Sequence, residues 1–275
     1  MRNKLKTIWI VTIITAGIVS TSSAGTWTTL NAPGASQTFA NGIDGGNIVG
    51  WYKQGSVDHG FRYDGLTWTT IDKPGAENTA VFGISGNSIV GRYNDSIGGH
   101  HGFFYNGTTW TTLDVPGAQD TTAFGVSGNN IVGSYTSADN SVHSFIYDGL
   151  TWAFIDVPGA RETSAYGISG DNVVGTYFDA YGKMKGFMYD GLTWATIEPP
   201  GANWTIATDI SGNNIIGLYY DTPFIYHGFI YDGSTWTTLN APGAIHTEAM
   251  GISGNYMVGN YSDNNNIWHG FVYTI

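Results

Sequence analysis

HGFRYDGLTWTTIDKPGA, residues 59–76, is followed 42 residues later by HGFFYNGTTWTTLDVPGA, residues 101–118. Self-similarity at a fixed period marks a repeat architecture. The Trp of the T-W pair falls at Trp27, Trp68, Trp110, Trp152, Trp194 and Trp236, with spacings of 41, 42, 42, 42 and 42. The P-G-A triplets keep step, starting at Pro33, Pro74, Pro116, Pro158, Pro200 and Pro242. Six copies account for almost the whole chain, and the single deletion lies between Gly50 and His59, where a loop absorbs it.

Each copy reads as four short strands. GVSGNNIVGSY (125–135) holds a tight S-G-N-N turn between two runs, and HSFIYDGLTWAFI (143–155) holds a D-G pair between aromatic runs. A D-G pair in that setting predicts a type I′ hairpin, with positive φ at both central residues. No helical period is present. Phe145 and Tyr147 fall on one face of the third strand, and the position between them is Arg62, Phe104, Ile146, Met188, Ile230 or Val272, apolar in five copies of six. Side chains alternate along a strand, so both faces are predicted to be buried. Small sheets stacked face to face around an axis meet that demand, and the period matches a propeller blade. The predicted fold is all-β: a six-bladed β-propeller of four-stranded antiparallel blades.

The ends of the chain argue for a ring over an open solenoid, which needs atypical capping repeats. GTWTTLNAPGA (25–35) is the second half of a copy and HGFVYTI (269–275) is the first half of one. The two halves complete a blade only if the strand around Trp27 pairs with the strand around Phe271. The ring then closes by pairing of the N- and C-terminal strands and leaves few free edges.

The first 24 residues read as a secretory leader: MRNKLK is basic, TIWIVTIITAGIV uncharged, and STSSA small, with cleavage expected after Ala24. The apolar run is too short and too rich in Thr for a spanning helix. Residues 25–275 then form one propeller domain, secreted or periplasmic, with no membrane insertion. Removal of the leader takes three of the ten basic residues and none of the 21 acidic ones, which leaves a formal charge of −14. That sign argues against nucleic acid, whose phosphates demand basic patches. Zero Cys excludes a disulfide framework and thiolate metal sites. The repeated His59, His101, His143, His227 and His269, with Lys185 in the remaining copy, are expected to knit strand ends with the turn residues Asp64, Asn106, Asp148, Asp190 and Asp232. The T-W tryptophans are expected to pack within their blades.

The pattern G-[IV]-S-G-N-N-I-V-G-x-Y, then H-G-F-x-Y-D-G, then T-W-T-T-L-D-V-P-G-A resembles the bacterial extracellular HAF-type repeat family over nearly the whole of residues 25–275. The resemblance implies secretion and a β-rich repeat fold, and brings no reaction with it. Asp209 in place of Gly, Lys185 in place of His, and the pair Pro199-Pro200 depart from the pattern.

With the G-I-S-G strand innermost, the S-G-N-N and D-G turns share one end of the ring, and the P-G-A links and the loops after I-V-G-x-Y share the other. Longer, variable loops on a rigid scaffold are where binding surfaces form. Two residues after each P-G-A the side chain changes in every copy: Gln37, Asn78, Asp120, Glu162, Trp204 and His246, each followed by a Thr. The residue two before each Pro is polar: Asn31, Asp72, Asp114, Asp156, Glu198 and Asn240. Together these are expected to ring the channel mouth with amides, carboxylates, one Trp and one His. Such a set suits a polar extracellular ligand, above all a glycan: the polar groups bond hydroxyls and Trp204 offers a face to a sugar ring. Its oxygens would also suit a hard cation such as Ca²⁺; no other cofactor is implied. Ordinary solvated loop residues would show the same composition.

Two other functional classes compete. A glycoside hydrolase or lyase needs paired carboxylates; Asp156, Glu162, Glu198 and Asp209 are available, yet the copies differ only modestly and no G-x-S-x-G, H-E-x-x-H or P-loop occurs. A structural or protein-binding module of the envelope or matrix would instead show exposed apolar groups. Trp51, Phe178, Tyr181, Tyr226 and Trp268, all in or near the loops after I-V-G, are candidates for either role.

Overall fold

The computed structural model describes residues 20–21, 25–221 and 225–275. The chain forms six antiparallel sheets arranged as a β-propeller. Blade 1 consists of Gln37–Asp44, Asn47–Gln54, Val57–Tyr63 and Trp68–Thr70, in that order from the axis outward. Blades 2 to 5 repeat the order, with innermost strands Asn78–Ser85, Asp120–Ser127, Glu162–Ser169 and Trp204–Ser211. Blade 6 takes its inner three strands from the end of the chain, His246–Ser253, Tyr256–Ser262 and Trp268–Thr274, and its outermost strand, Thr26–Leu30, from the beginning. Trp27 lies opposite Tyr273 and Thr29 opposite Phe271, so the ring closes by the predicted pairing. No helix among the described residues is long and apolar enough to cross a membrane.

The repeat owes its sequence to packing between blades. The Phe of each third strand (Phe61, Phe103, Phe145, Phe187, Phe229, Phe271) is at most 1% exposed. The I-V-G glycine faces it because nothing larger fits: a Cβ on Gly133 would stand 2.0 Å from the Thr122 carbonyl and 2.7 Å from the Phe145 ring. The T-W tryptophan closes the outer side, with Trp110 4.9 Å from Phe103 and 4.5 Å from Tyr105, ring centre to ring centre. The closing strand carries both kinds of contact: Trp27 packs on Phe271 and Tyr273, while Leu30 joins a separate cluster with Phe61 of blade 1.

The invariant Thr after each variable position holds the link between blades. Thr38 Oγ1 accepts from Ala32 N (2.9 Å), Thr121 from Val115 N (3.0 Å) and Thr247 from Ala241 N (2.9 Å). Thr205 makes no such bond, because the equivalent donor position is Pro199, which has no N–H. Its carbonyl instead accepts from Thr176 Oγ1 at 3.2 Å.

Three expectations need correction. The D-G pairs are not type I′ turns: only the glycine has positive φ (94° at Gly65), and Tyr63 opposite Trp68 is the last strand pair, so four residues make the connection. Asp64 caps it, its Oδ1 accepting from Leu66 N (2.9 Å) and Thr67 N (2.7 Å). The histidines therefore do not meet these aspartates, which sit at the far end of the third strand. Blade 5 is also not limited to four strands, since Ser20–Thr21 runs parallel beside its outermost strand, Ser20 opposite Thr237. The rest of the expected leader, 1–24, lies outside the described residues.

Candidate functional site

The innermost strands alternate between core and channel. In blade 1, Thr38 and Ala40 are buried in the sheet packing, so Gln37, Phe39 and Asn41 take the other face. A bulge between Ala40 and Gly42 then reverses the parity, and Ile43 returns to the core. The same bulge recurs in every blade. It sets a ring of six side chains around the axis: Asn41, Phe82, Phe124, Tyr166, Thr208 and Met250. With Ile206, Leu218 and Glu248 they line a cavity of about 250 Å³ on the P-G-A side.

Below the bulge the channel narrows to about 50 Å³ at a ring of Gly42, Gly83, Gly125, Gly167 and Asp209, closed by Gly251. A Cβ on Gly125 would lie 2.5 Å from the Tyr166 carbonyl of the next blade, so the strands touch there through bare backbone. Asp209 is the single exception. Its Oδ1 accepts from Ile210 N and its Oδ2 from Ile252 N of blade 6, each at 2.9 Å. The residue is half-buried in the narrow part of the channel, and burial pushes its pKa up to about 7 against the opposing pull of those two N–H groups. Glu248, higher in the channel, is likewise raised to about 7 by burial, with Asn260 pulling the other way.

The mouth is asymmetric. From blade 4 round to blade 1 a continuous arc of rings follows the rim. Phe178 meets Trp204 (6.3 Å), Trp204 meets Tyr220 (5.3 Å), Tyr220 meets Tyr226 (6.2 Å) and Tyr226 meets His246 (5.1 Å). His246 then stacks with Trp268 (6.1 Å, 10° between planes), Trp268 meets Phe39 (6.0 Å) and Phe39 stacks on Trp51 (4.0 Å). Trp204 is 41% exposed. Trp204, Tyr220 and Tyr226 also line a cavity of about 200 Å³ that shares Ile206, Leu218 and Glu248 with the channel. Four of the aromatic loop candidates, Trp51, Phe178, Tyr226 and Trp268, belong to this arc, whereas Tyr181 stands alone at a loop tip, 95% exposed.

The predicted residues divide by column. Asn78, Asp120, Glu162, Trp204 and His246 each open an innermost strand, so they share the mouth. Asn78 Oδ1 accepts from Asp58 N (2.9 Å), and His246 Nδ1 accepts from Tyr226 N (3.2 Å). Burial, with His227 adding to it, holds His246 below the usual histidine pKa. Asp72, Asp114, Asp156 and Glu198 follow the outermost strands, three strands away from the innermost ones. They sit where the outermost strand ends, and the antiparallel register brings the start of the third strand beside them. Asp72 pairs with His59 (2.7 Å), Asp114 with His101 (3.0 Å), Asp156 with His143 (2.8 Å) and Glu198 with Lys183. Asn240 and Asn31 meet His227 (2.7 Å) and His269 (2.9 Å) in the same way. The two predicted columns therefore lie apart, one at the starts of the innermost strands and the other at the ends of the outermost strands. Among the described residues no three His, Asp or Glu side chains converge as a metal site would require.

Glu248 and Phe39 escape a reading of the sequence that stops at the first variable column. The signal lies two residues on, where Phe39, Ala80, Thr122, Ser164, Ile206 and Glu248 also change in every copy. An aromatic arc beside carboxyl, amide and imidazole groups can stack the apolar face of a ring and bond its hydroxyls.

No protein-family model matches the chain, and no curated relative matches it. Solved structures share its fold. The six-bladed fucose-recognising lectin of Aleuria aurantia superposes with a TM-score of 0.56 at 15% identity, over 86% of this chain and 91% of that one. The β-propeller domain of the Trilobed protease of Pyrococcus furiosus superposes with a TM-score of 0.56 at 10% identity, over 87% and 81%. A Trypanosoma rangeli sialidase complexed with sialic acid gives 0.54 at 10% identity, over 94% of this chain and 60% of the larger enzyme.

Proposed function

We propose that this chain is a secreted, non-catalytic recognition propeller of HAF-type repeats that binds a carbohydrate at the channel mouth. The observation that carries the reading is the arc of rings from Phe178 to Trp51, with the exposed Trp204 beside His246 and Glu248. Sugars present apolar C–H faces and a rim of hydroxyls, and this surface offers aromatic faces with polar groups between them. The fold it shares with a fucose-recognising lectin supports the reading, as does the acidic surface, which disfavours anionic partners. Ca²⁺ is proposed as an accessory ion for sugar hydroxyls at the mouth.

A glycan array probed with residues 25–275, with and without Ca²⁺, tests this directly. Selective binding is expected, and Trp204→Ala is expected to weaken it about tenfold, which corresponds to about 1.4 kcal/mol of lost stacking. Silence across the array in both conditions would sink the proposal. A second reading, a protein-binding module of the envelope or matrix, draws on Leu66, Leu150 and Leu192. These stand at equivalent turns of three blades at the opposite end, each about nine-tenths exposed.

A further inference from the structure

The axial channel below the rim carries a chemistry that a neutral sugar does not explain. Phe82, Phe124 and Tyr166 occupy equivalent positions in three successive blades. Their rings meet in turn, Phe82 tilted 47° against Phe124 and Phe124 edge-to-face with Tyr166, with centroids 5.1 Å and 4.9 Å apart. Across the axis stand Thr208 and Met250, with Glu248 one step nearer the mouth. The other polar groups at this level are already engaged: Asn41 Nδ2 donates to Val81 O (2.8 Å) and Thr208 Oγ1 to Ala249 O (2.7 Å). Among the described residues no Lys, Arg or His lines these two cavities, and the whole chain carries a formal charge of −11.

We propose that this cavity binds an organic ammonium group, held between the aromatic wall of blades 2 to 4 and the carboxyl of Glu248. Ring faces attract a cation through their quadrupoles, the more so where water is scarce. Three such rings facing a carboxyl repeat the logic of quaternary-ammonium cages, and about 250 Å³ admits a small alkylammonium head. An anion would meet two carboxyls, Glu248 and Asp209, with no basic group to offset them. The site lies below the rim and shares Ile206, Leu218 and Glu248 with it, but choline binding is read without any glycan, so its outcome is distinguishable from that of the rim.

The pH dependence follows from the groups that face Glu248. Asn260, its cross-strand neighbour, is neutral. Tyr166 across the axis remains a neutral phenol, since burial raises its pKa. His246, two residues along the strand, is held low and is neutral at pH 7, and Tyr219, Tyr220 and Tyr226 line the adjoining cavity. Asp209, farther down, is the other group raised to about 7. Ionising Glu248 strengthens its hold on a cation, so affinity rises with pH from 6 to 8.

The test is calorimetric titration of residues 25–275 with choline and with its neutral isostere 3,3-dimethylbutan-1-ol. Choline is expected to bind at least tenfold more tightly at pH 8, and more tightly at pH 8 than at pH 6. Glu248→Gln, with its fold checked by melting, is expected to lose the tenfold margin and the pH slope. Equal affinity for the two compounds would reduce the site to an apolar cavity and overturn the proposal, as would failure of choline to bind at millimolar concentration. The comparison of the two ligands on the unaltered protein holds even if the variant folds poorly.

Discussion

Trp27→Ala combined with Leu30→Ala is expected to bring the protein close to unfolding at 25 °C, and to open it first at blade 6. The two side chains pack into different clusters on opposite faces of the closing strand: Trp27 on Phe271 and Tyr273, and Leu30 with Phe61 and Val258. Trp27 is half-buried, so its loss falls at the low end of the about 3–5 kcal/mol of a buried Trp→Ala, while Leu30→Ala costs about 2–5, and separate clusters make the costs nearly additive. Their sum, about 5–8 kcal/mol, approaches the whole stability of an ordinary domain. The matching pair Trp110→Ala with Leu113→Ala in blade 2 removes similar contacts, but its strand is held by chain at both ends. Urea titration with limited proteolysis distinguishes the two. The seam variant should show early cleavage in residues 25–36 before global unfolding. Identical, fully cooperative transitions in both variants would mean that the terminal pairing has no special role in closure.

The second large effect concerns Asp209. Its carboxyl keeps its proton to about pH 7 in the folded protein because burial disfavours the charge, and releases it near the ordinary carboxylate pKa of about 4 when unfolded. A folded pKa above the unfolded one gives stability that is fully present below the unfolded value and is lost as pH rises through the folded value. At about 1.4 kcal/mol per unit, the loss between pH 4 and pH 8 reaches about 4 kcal/mol. Glu248 adds a slope of the same sign. Asp209→Asn should therefore raise the urea midpoint at pH 8 and flatten the decline between pH 5 and pH 8, and the double variant with Glu248→Gln should flatten it further. Curves parallel to the parent would show that water and the Ile210 and Ile252 N–H groups already satisfy the ionised carboxylate.

The closed ring was legible because one feature admits a single solution: the copy split between Trp27 and Phe271 is whole only if the chain ends meet. Burial of both faces was legible from one column, the residue between Phe145 and Tyr147. Partners set by strand register were not. The residue two before each Pro looks solvated in sequence, yet the antiparallel pairing places Asp72 and Asp156 against His59 and His143. The channel was half legible. The first variable column marks the mouth, and Asp209 stands out as a break in the glycine pattern. The alternation holds for three positions and then reverses at a bulge, so the ring of Phe82, Phe124 and Tyr166 needs the bulge to be seen before those residues can be assigned to the axis. The aromatic arc joins Tyr226 and Trp268 to strand residues from other blades, such as His246 and Phe39, a proximity that no spacing within one copy encodes.

Hydrogen-exchange footprinting with the glycan that binds best on the array is the most direct measurement of the central claim, that recognition belongs to the channel mouth. The expected result is protection at the starts of the innermost strands of blades 5 and 6, residues 204–206 and 246–248, and at Tyr226, with little change at the D-G turns. Protection confined to the turns that carry Leu66, Leu150 and Leu192 would place binding at the opposite end and contradict it.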